Sequence, residues 1–470
     1  MNVHKHRRKR GVILTAQGFE KLEQAKSHAE SWENRYKSYT LEALSDRTGL
    51  DPDTLMKVFA CNVGVDKRTL SRCFRAFNLQ LEASDYYPPQ REKTISTQYL
   101  SPIPLKKAKN QIKHKIDWGQ APDVSVFFGR TADLGLLTQW IQQEHCRLVV
   151  LLGMGGIGKT YLSVKLATQI QNDFEFVIWR SLRNAPPIEF VLADILLLLS
   201  NEQETHLPES LEDRIERLID YLKLCRCLLV LDHAEAILQD ASGNCSVGYY
   251  RQGYEGYSEL LKRVGKTPHQ SCVVLTSREK PKGIGEMEGK TLPVRILQLG
   301  GLQAIEVQEI FKAKGFFYGS TADWSKLVEY YAGNPLALNI VSTTIQKIFD
   351  GNISEFLNHN TAVFGELRHL LTEHFQRLSE VEKQIIIWLS LHSQPASFSN
   401  LREQISPTVS PQQLLEALES LQERSLIEQK NTFFSVLSLM REYITCDSTS
   451  NGRRQKGKLS RSVPPLTIVQ

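Results

Sequence analysis

The sequence lacks a long apolar run. Its most apolar stretch, FVLADILLLL, contains Asp194 and is about half as long as the roughly 20 residues that cross a membrane. The basic start, MNVHKHRRKRGVILT, continues with only three consecutive apolar residues, too few for the apolar part of a signal peptide. We therefore expect a cytoplasmic protein with no membrane partner.

Paired cysteines and a large net charge are also missing. The eight cysteines are scattered, without a C-x-x-C pair or a histidine at zinc-finger spacing. This spacing favours reduced cytosolic thiols over a disulfide scaffold or a zinc finger. The net charge is only +5 over 470 residues, with the excess at the two ends. Charge therefore neither requires nor excludes a nucleic-acid partner.

Three segments of biased composition interrupt the chain, whose length favours about three domains. A basic arm is predicted at residues 1–10, and a Pro- and Lys-rich linker at residues 88–116. A polar, Ser-rich tail at residues 447–470 is expected to be disordered.

Between the arm and the linker, residues 11–87 have the pattern of a helix-turn-helix domain. One predicted helix begins after a Thr40 cap and stops at Gly49; the next has an Asp51 cap and Pro52 at its first position. Helix, glycine-containing turn and helix is the arrangement of this motif. We therefore predict an all-helical N-terminal domain.

Two partners are compatible with this domain. In a DNA complex, Asp53, Thr54 and Lys57 would face the major groove. Phosphates would then be contacted by the arm residues Lys5, Arg7, Arg8, Lys9 and Arg10. However, the second helix carries Asp51 and Asp53 with only one lysine, which favours an adaptor that recruits a protein. DNA binding through residues 1–87 stays as the alternative.

From residue 117 to about residue 300, apolar strand-like runs alternate with helical segments. Strands are predicted at CRLVVLLG, FEFVIWRSL, RCLLVLD, SCVVLTSR and VRILQLGGL. This alternation predicts an α/β fold in which helices cover both faces of a parallel sheet. Ligands bind such sheets beyond the carboxyl ends of the strands. The glycine-rich stretch GMGGIGKT, residues 153–160, follows one of these ends.

This stretch fits two phosphate-binding patterns. Gly153, Gly155 and Gly158 match the dinucleotide fingerprint Gly-x-Gly-x-x-Gly, while the whole stretch matches the P-loop, Gly-x-x-x-x-Gly-Lys-Thr. A dinucleotide site requires an acidic residue at the end of the next strand, to hold the ribose. Here Arg180 and Ser181 follow FEFVIW. The dinucleotide interpretation is therefore disfavoured.

The P-loop interpretation requires a lysine and a hydroxyl after the last glycine, and a distant apolar strand that ends in aspartate. Lys159, Thr160 and Asp232 supply these groups. Lys159 would reach the β- and γ-phosphates, while Thr160 and Asp232 would hold Mg²⁺. The loop N–H groups and the helix N-terminus would bind ATP or ADP. The predicted loop contacts are Gly153, Met154, Gly155, Gly156, Ile157, Gly158, Lys159, Thr160 and Tyr161.

The strand in VVLTSR delivers another cation to this edge of the sheet. Arg278 follows the strand, as Asp232 follows its own strand, so the two are expected at the same edge. An arginine placed there is suited to bind a γ-phosphate with charge-assisted hydrogen bonds. The predicted catalytic residues are Lys159, Asp232 and Arg278.

The motifs GMGGIGKT, LLVLD, LTSR and GNPLAL occur in the order and spacing of the NB-ARC class of STAND proteins, which residues 117–446 resemble. Plant resistance and animal apoptosis members of this class are switch ATPases. The resemblance implies a nucleotide-binding domain at 117–301, a helical lid at 302–360 and a winged helix at 361–446, with ADP between them. It also places Pro335 of GNPLAL near the adenine, and Gly129 and Arg130 in the base pocket.

Two positions depart from the pattern of the class. His233 stands where a second acidic residue often follows the aspartate, and Glu235 comes two residues later. The Met-His-Asp motif that contacts ADP has its nearest match in MREY, Met440 to Tyr443, which has no histidine. The resemblance therefore assigns neither a catalytic base nor a winged-helix contact to ADP.

The function expected from these observations is an ATP/ADP-binding switch in signalling, reset by slow hydrolysis. A nucleotide-regulated transcription factor is the alternative, and a fast motor-type ATPase is a third hypothesis. The N-terminal domain resembles the one that precedes NB-ARC modules in some cyanobacterial WD-repeat proteins, but no repeats follow residue 446. We therefore expect a separate protein partner as sensor or effector, or a shortened relative, and self-association on activation.

Overall fold

The computed structural model divides into two compact units, residues 1–102 and 103–470. The structure describes residues 11–33, 39, 41–60, 64–87, 114–200, 207–239, 248–359, 363–392, 394–405 and 409–451. The predicted basic arm, most of the linker and residues 452–470 of the predicted tail lie outside these ranges. Among the described residues, no helix is both long enough and apolar enough to cross a membrane.

Four helices dominate the first unit. They are α1 (Ala16–Glu33), α2 (Leu41–Thr48), α3 (Pro52–Ala60) and α4 (Lys67–Ala76). Leu22, Leu55 and Phe74 are fully buried between them. The prediction of an all-helical domain misses one feature. Two short strands, β1 (Ile13–Leu14) and β2 (Tyr86–Tyr87), pair antiparallel and join the two ends of the unit.

The turn between α2 and α3 has the predicted local chemistry. Gly49 has a φ of 66°, a left-handed conformation that glycine adopts without strain. Asp51 Oδ1 accepts a hydrogen bond from the backbone N–H of Thr54 at 2.9 Å, which caps α3. Arg47 of α2 turns inward, since its guanidinium lies over Phe77 and donates to the carbonyl of Ala76. This arginine therefore packs within the unit.

The second unit is built on a six-stranded parallel sheet, which confirms the predicted α/β fold. Its order is β3-β5-β6-β7-β4-β8. The strands are β3 (Lys115–Asp117), β4 (Leu148–Leu152), β5 (Phe176–Ser181), β6 (Cys227–Asp232), β7 (Cys272–Ser277) and β8 (Val294–Gln298). All five predicted strands are present. β3 is additional, and it begins within the last two residues of the predicted linker.

Helices pack on both faces of this sheet. They are α5 (Thr131–Thr138), α6 (Lys159–Ile170), α7 (Ile188–Leu199), α8 (Leu211–Leu224) and α9 (Glu255–Lys266). The apolar run that is too short for a membrane span forms α7, and its Leu192 and Leu196 are fully buried against the sheet. β7 lies between β4 and β6. The residues that follow these three strands therefore lie side by side.

Five helices, α10 to α14, follow the sheet, and three of them begin at a side-chain cap. Their ranges are α10 (Ala304–Lys312), α11 (Thr321–Tyr330), α12 (Pro335–Ile348), α13 (Ile353–Asn358) and α14 (Gly365–Gln376). Ser320, Asn334 and Asn352 accept hydrogen bonds from the first turns of α11, α12 and α13. The predicted boundary at residue 360 lies outside the described residues.

The C-terminal part consists of helices and a β-hairpin. It contains α15 (Glu380–Leu391), β9 (Ala396–Ser397), α16 (Phe398–Gln404), α17 (Pro411–Glu423), β10 (Ile427–Lys430), β11 (Phe433–Val436) and α18 (Ser438–Asn451). Asn431 turns the β10–β11 hairpin with a φ of 57°. α18 continues past residue 446, where the tail was expected to begin. Helices α10 to α18 share one apolar core, which also includes Met154 of the glycine-rich loop.

Candidate functional site

The glycine-rich loop connects β4 to α6 through backbone conformations that favour glycine. Gly153, Gly156 and Gly158 have φ values of 148°, 80° and 100°. Gly158 precedes the first turn of α6, and no side chain caps this helix. The N–H groups at the start of α6 therefore have no side-chain acceptor, which is the arrangement of a phosphate-binding helix N-terminus.

Lys159 folds back onto this loop. Its Nζ donates to the carbonyls of Gly153 at 2.7 Å and Met154 at 3.1 Å. The residue is only 8% exposed, and burial lowers the pKa of its amine to about 8. The nearby carboxylates of Glu235 and Asp232 oppose this effect and raise the pKa. An anion bound in the loop would also favour the charged ammonium, as a phosphate does.

Thr160 and Asp232 meet, as the metal-binding prediction requires. Thr160 Oγ1 donates to Asp232 Oδ1 at 2.9 Å, and the hydroxyl of Thr276 donates to the same oxygen. Asp232 is fully buried, and its Oδ2 lies 2.6 Å from Nδ1 of His233. A hydroxyl and a carboxylate suit Mg²⁺, which keeps most of its waters and takes further oxygens from phosphates. The described residues contain no cluster of three or more His, Cys, Asp or Glu side chains that could hold a metal.

Arg278 reaches the same edge from β7 and is held by two carboxylates. Its Nε lies 3.1 Å from Glu235 Oε1, and its Nη1 lies 3.5 Å from Glu373 Oε2. The backbone N–H of Arg278 donates to Glu235 Oε2 at 3.2 Å. Its guanidinium carbon is 3.1 Å from the position that a Cβ on Gly155 would take. Arg278 therefore lies against the loop.

Gly129 and Arg130 fix the segment before α5 to both sides of the cleft. Arg130 Nη2 donates to the carbonyl of Ile157 at 2.9 Å, and its backbone N–H donates to Glu306 Oε1 at 2.8 Å. Gly129 has a φ of 68°, and a Cβ there would lie 2.3 Å from Glu306 Oε1. A larger residue would displace the Glu306 carboxylate and break its hydrogen bond to the backbone of Arg130.

The GNPLAL motif brings α12 onto the glycine-rich loop. Asn334 Nδ2 donates to the carbonyl of Gly155 at 3.0 Å, and the N–H of Leu336 donates to the carbonyl of Gly156 at 3.3 Å. Pro335 Cγ lies 4.0 Å from the position of a Cβ on Gly158. The loop is thus attached directly to the first turn of α12.

These groups surround a cleft of about 950 Å³, near the upper end of the volumes of small-molecule sites. The predicted residues that line it are Arg130, Gly155, Gly156, Ile157, Gly158, Lys159, Thr160, Tyr161, Asp232, Arg278 and Pro335. Gly129, Gly153 and Met154, which were also predicted, are not among the residues that line it. Phe127, Phe128, Ile340 and Leu336 add apolar surface at which a flat ring can pack.

Sequence reasoning missed His374 and Glu279. His374 is 5% exposed, and its Nε2 lies 2.7 Å from the position of a Cβ on Gly155. Glu279 is 1% exposed; its Oε1 accepts from Arg377 Nε at 2.9 Å and lies 3.3 Å from Arg424 Nη2. Their neighbours are far along the chain, so no local pattern indicates them.

The MREY stretch does not supply a contact to this cleft. Met440 is fully buried in the core of helices α10 to α18, and Tyr443 donates its hydroxyl to Thr372 at 3.1 Å. The histidine that lies on the loop, His374, comes from α14. Burial, followed by the charges of Arg278 and Lys159, holds the pKa of His374 well below its usual range.

The parallel sheet, the glycine-rich loop and the Lys159, Thr160 and Asp232 constellation define a P-loop nucleotide-binding protein. Residues 130–236 match the family model of the NB-ARC domain. This stretch is therefore similar to an NB-ARC domain. Arg278, Asn334 and His374 lie beyond the matched residues.

A stretch of 340 residues, 70% of this chain, is 47% identical to the uncharacterized WD repeat-containing protein alr2800 of Nostoc sp. (strain PCC 7120 / SAG 25.82 / UTEX 2576). The chain spans only about a quarter of that relative, since the match covers 27% of its length.

Solved structures that are similar to this chain include two from Pyrococcus. One is a STAND protein with a tetratricopeptide repeat sensor from Pyrococcus horikoshii, which is 20% identical with a TM-score of 0.35, over 72% of this chain and 45% of that chain. The other is a Walker-type ATPase of Pyrococcus abyssi, which is 13% identical with a TM-score of 0.47, over 70% of this chain and 99% of that chain.

Proposed function

We propose that this protein is an ATP/ADP switch in which the bound nucleotide sets the arrangement of α10 to α18 against the sheet. The observation that carries this proposal is the hydrogen bond from Asn334 to the carbonyl of Gly155. The loop that would bind phosphate is also a contact of α12, so a change in the loop acts on that helix without an intermediary.

Each group of the cleft has a distinct role in this proposal. Lys159 binds the β- and γ-phosphates, and Thr160 and Asp232 hold Mg²⁺, which neutralises charge on the phosphates. Arg130 orients the loop through Ile157. Pro335 and the apolar side chains beside it receive the base.

Hydrolysis in this site is expected to be slow and to reset the switch. Glu235 accepts from the backbone of Arg278 and pairs with its guanidinium. Glu235 therefore takes a proton from water only by breaking an existing contact. Steady turnover faster than about one per second, lost in Asp232→Asn, would contradict a switch and favour a motor-type ATPase.

The first test is nucleotide binding by a Lys159→Ala variant. Loss of ATP and ADP binding in calorimetry is expected, with an unchanged circular-dichroism spectrum. The matched control is Lys223→Ala, an exposed lysine of α8 that pairs with Asp220. Unchanged affinity in Lys159→Ala would refute the P-loop assignment. Identification of any nucleotide released on denaturing the purified protein would establish the resting state.

A regulatory role would involve a protein partner in the cytoplasm. The relative from Nostoc is named as a WD repeat-containing protein, and the chain spans about a quarter of that relative. We infer that a sensor or effector protein acts on this chain, and that ATP promotes self-association. Light scattering with ADP and with a non-hydrolysable ATP analogue would test the self-association. A larger mass with the analogue is expected, and an equal mass with both nucleotides would contradict it.

DNA binding is the second candidate function. The observation that favours it is the glycine turn between α2 and α3, with Lys57 exposed on α3. Arg47 is already engaged with Tyr39 and Ala76 within its unit. Fluorescence anisotropy of the full chain with duplex DNA at low salt would test this function, because phosphate contacts make binding salt-dependent. Absence of salt-dependent binding would contradict this function. Equal binding by wild type and Lys57→Ala would exclude α3 as the recognition helix.

A further inference from the structure

Helix α14 contacts the phosphate end of the cleft through two adjacent side chains in its last turn. Glu373 Oε2 is 3.5 Å from Arg278 Nη1, and His374 Nε2 packs on Gly155. His374 is almost completely buried, and its Nε2 has no hydrogen-bond partner within the described part of the chain. α14 therefore lies against the glycine-rich loop.

Arg278 is placed where a third phosphate would be recognised. It follows β7, between the strand that leads to Lys159 and the strand that ends in Asp232. If Lys159 and Thr160 bind the β-phosphate, a γ-phosphate extends toward the guanidinium of Arg278. Hydrogen bonds between a guanidinium and a phosphate are charge-assisted and strong. A γ-phosphate therefore competes with the carboxylate that Arg278 already contacts from α14.

We propose that Glu373 makes this site prefer a nucleoside diphosphate over the triphosphate, because its carboxylate holds the guanidinium that a γ-phosphate would take. This inference rests on the proposed function, namely that the cleft binds both ADP and ATP. With the diphosphate, the pair between Arg278 and Glu373 is kept. With the triphosphate, Arg278 turns to the γ-phosphate, and repulsion between like charges drives Glu373 away from the cleft.

Displacement of Glu373 also acts on the C-terminal part of the chain. Arg377 follows α14 and donates to Glu279, which is the neighbour of Arg278. Arg424, at the end of α17, lies against the same carboxylate. Two adjacent residues after β7 thus have separate tasks: Arg278 contacts the phosphate end of the cleft, and Glu279 holds α14 and α17. Triphosphate binding would therefore disturb the contact between Arg278 and Glu373 directly, and the contacts of Glu279 with Arg377 and Arg424 through a movement of α14.

The test is the ratio of the dissociation constants for ATP and ADP in Glu373→Gln, which keeps the shape of the side chain and removes its charge. The side chain of Glu373 is 65% exposed, so its ion pair with Arg278 is expected to contribute only the small free energy that is typical of surface ion pairs. We expect the ratio to shift toward ATP by about two- to fivefold. The same substitution in an Arg278→Ala background is expected to change nothing.

Glu366→Gln is the matched control. Glu366 lies on the same helix and lines the same cleft, whereas the ion pairs of Arg278 go to Glu235 and Glu373. A general effect of negative charge would shift both variants equally, and that result would overturn the inference. An unchanged ratio in Glu373→Gln, with both nucleotides still bound, would overturn this inference but leave the proposed function standing. A wild-type chain that binds neither nucleotide would overturn the proposed function as well.

Discussion

Asn334 joins the first turn of α12 to the glycine-rich loop. Its Nδ2 donates to the carbonyl of Gly155, while its Oδ1 accepts from the backbone N–H groups of Leu336 and Ala337. One buried amide therefore caps a helix and fixes the loop. A donor and an acceptor are both required, and asparagine supplies the two on one short side chain.

Asn334→Ala and Asn334→Asp should separate these two tasks. Alanine removes the cap and the loop contact, and is expected to cost about 1–3 kcal/mol of stability in urea unfolding. Aspartate keeps the cap but places a carboxylate beside the carbonyl of Gly155, so nucleotide affinity should fall more than stability. Asn352→Ala, which removes a cap at α13 away from the loop, should lower stability and spare affinity. Equal affinity in all three variants would contradict this role.

Gly156→Ala is expected to separate α12 from the loop. Gly156 has a φ of 80°, and its Cβ would lie 2.8 Å from Leu336 Cβ. Gly253 has a φ of 87° with no atom within 4 Å of a Cβ, so Gly253→Ala carries the backbone strain alone, about 1–2 kcal/mol. Gly156→Ala should lose more stability in urea and should also lose nucleotide affinity. Identical losses in the two variants would show that the contact with Leu336 is unimportant.

Glu279→Gln should be severely destabilising. The substitution leaves Arg424, which is 4% exposed, and Arg377 without their carboxylate. Breaking a buried ion pair from one side costs about 3–5 kcal/mol. Glu380→Gln is the control, because Glu380 is 76% exposed where it pairs with Lys383, and its loss should cost less than about 1 kcal/mol. Urea unfolding measures both variants. Similar midpoints would show that Glu279 does not stabilise the contacts with Arg377 and Arg424.

Stability is expected to fall as the pH drops from about 6.5 to about 4, with His269 as one cause. Burial lowers the pKa of His269 to about 4, and the nearby charges of Arg147 and Lys223 act in the same direction, against its hydrogen bond to the carbonyl of Val264. The unfolded chain takes up this proton near pH 6.5. Between the two values the unfolded state binds more protons, so acid favours unfolding. His269→Gln should flatten the pH dependence of urea unfolding. The same pH dependence in the wild type and in the variant would show that His269 does not contribute to it.

The strands and the P-loop were predictable because their signals are local. β4 is five consecutive buried apolar residues, and glycine, lysine and threonine follow it at fixed spacing. Pro52 and Asp51 mark the start of α3 in the same way. Short-range chemistry of this kind is written in adjacent residues, so one sequence is sufficient to find it.

The remaining contacts depend on pairs that are distant in the chain. β3 has only three residues, and it exists because β5 offers an edge to pair with. Glu279 resembles an ordinary surface acid until the fold brings Arg377 and Arg424 to it. Arg278 was expected at the phosphate edge, but no pattern indicates that Glu373 competes for it. Ion pairs have no periodicity, so they stay hidden in the sequence.

Met154 has two roles that differ in kind. Its carbonyl accepts a hydrogen bond from Lys159, and its side chain is part of the apolar core formed by α10 to α18. The peptide that contacts the ammonium thus also anchors that core. A ligand that stabilises the loop would therefore raise the melting temperature of the C-terminal helices together with that of the sheet. We therefore expect the sheet and helices α10 to α18 to melt in one cooperative transition.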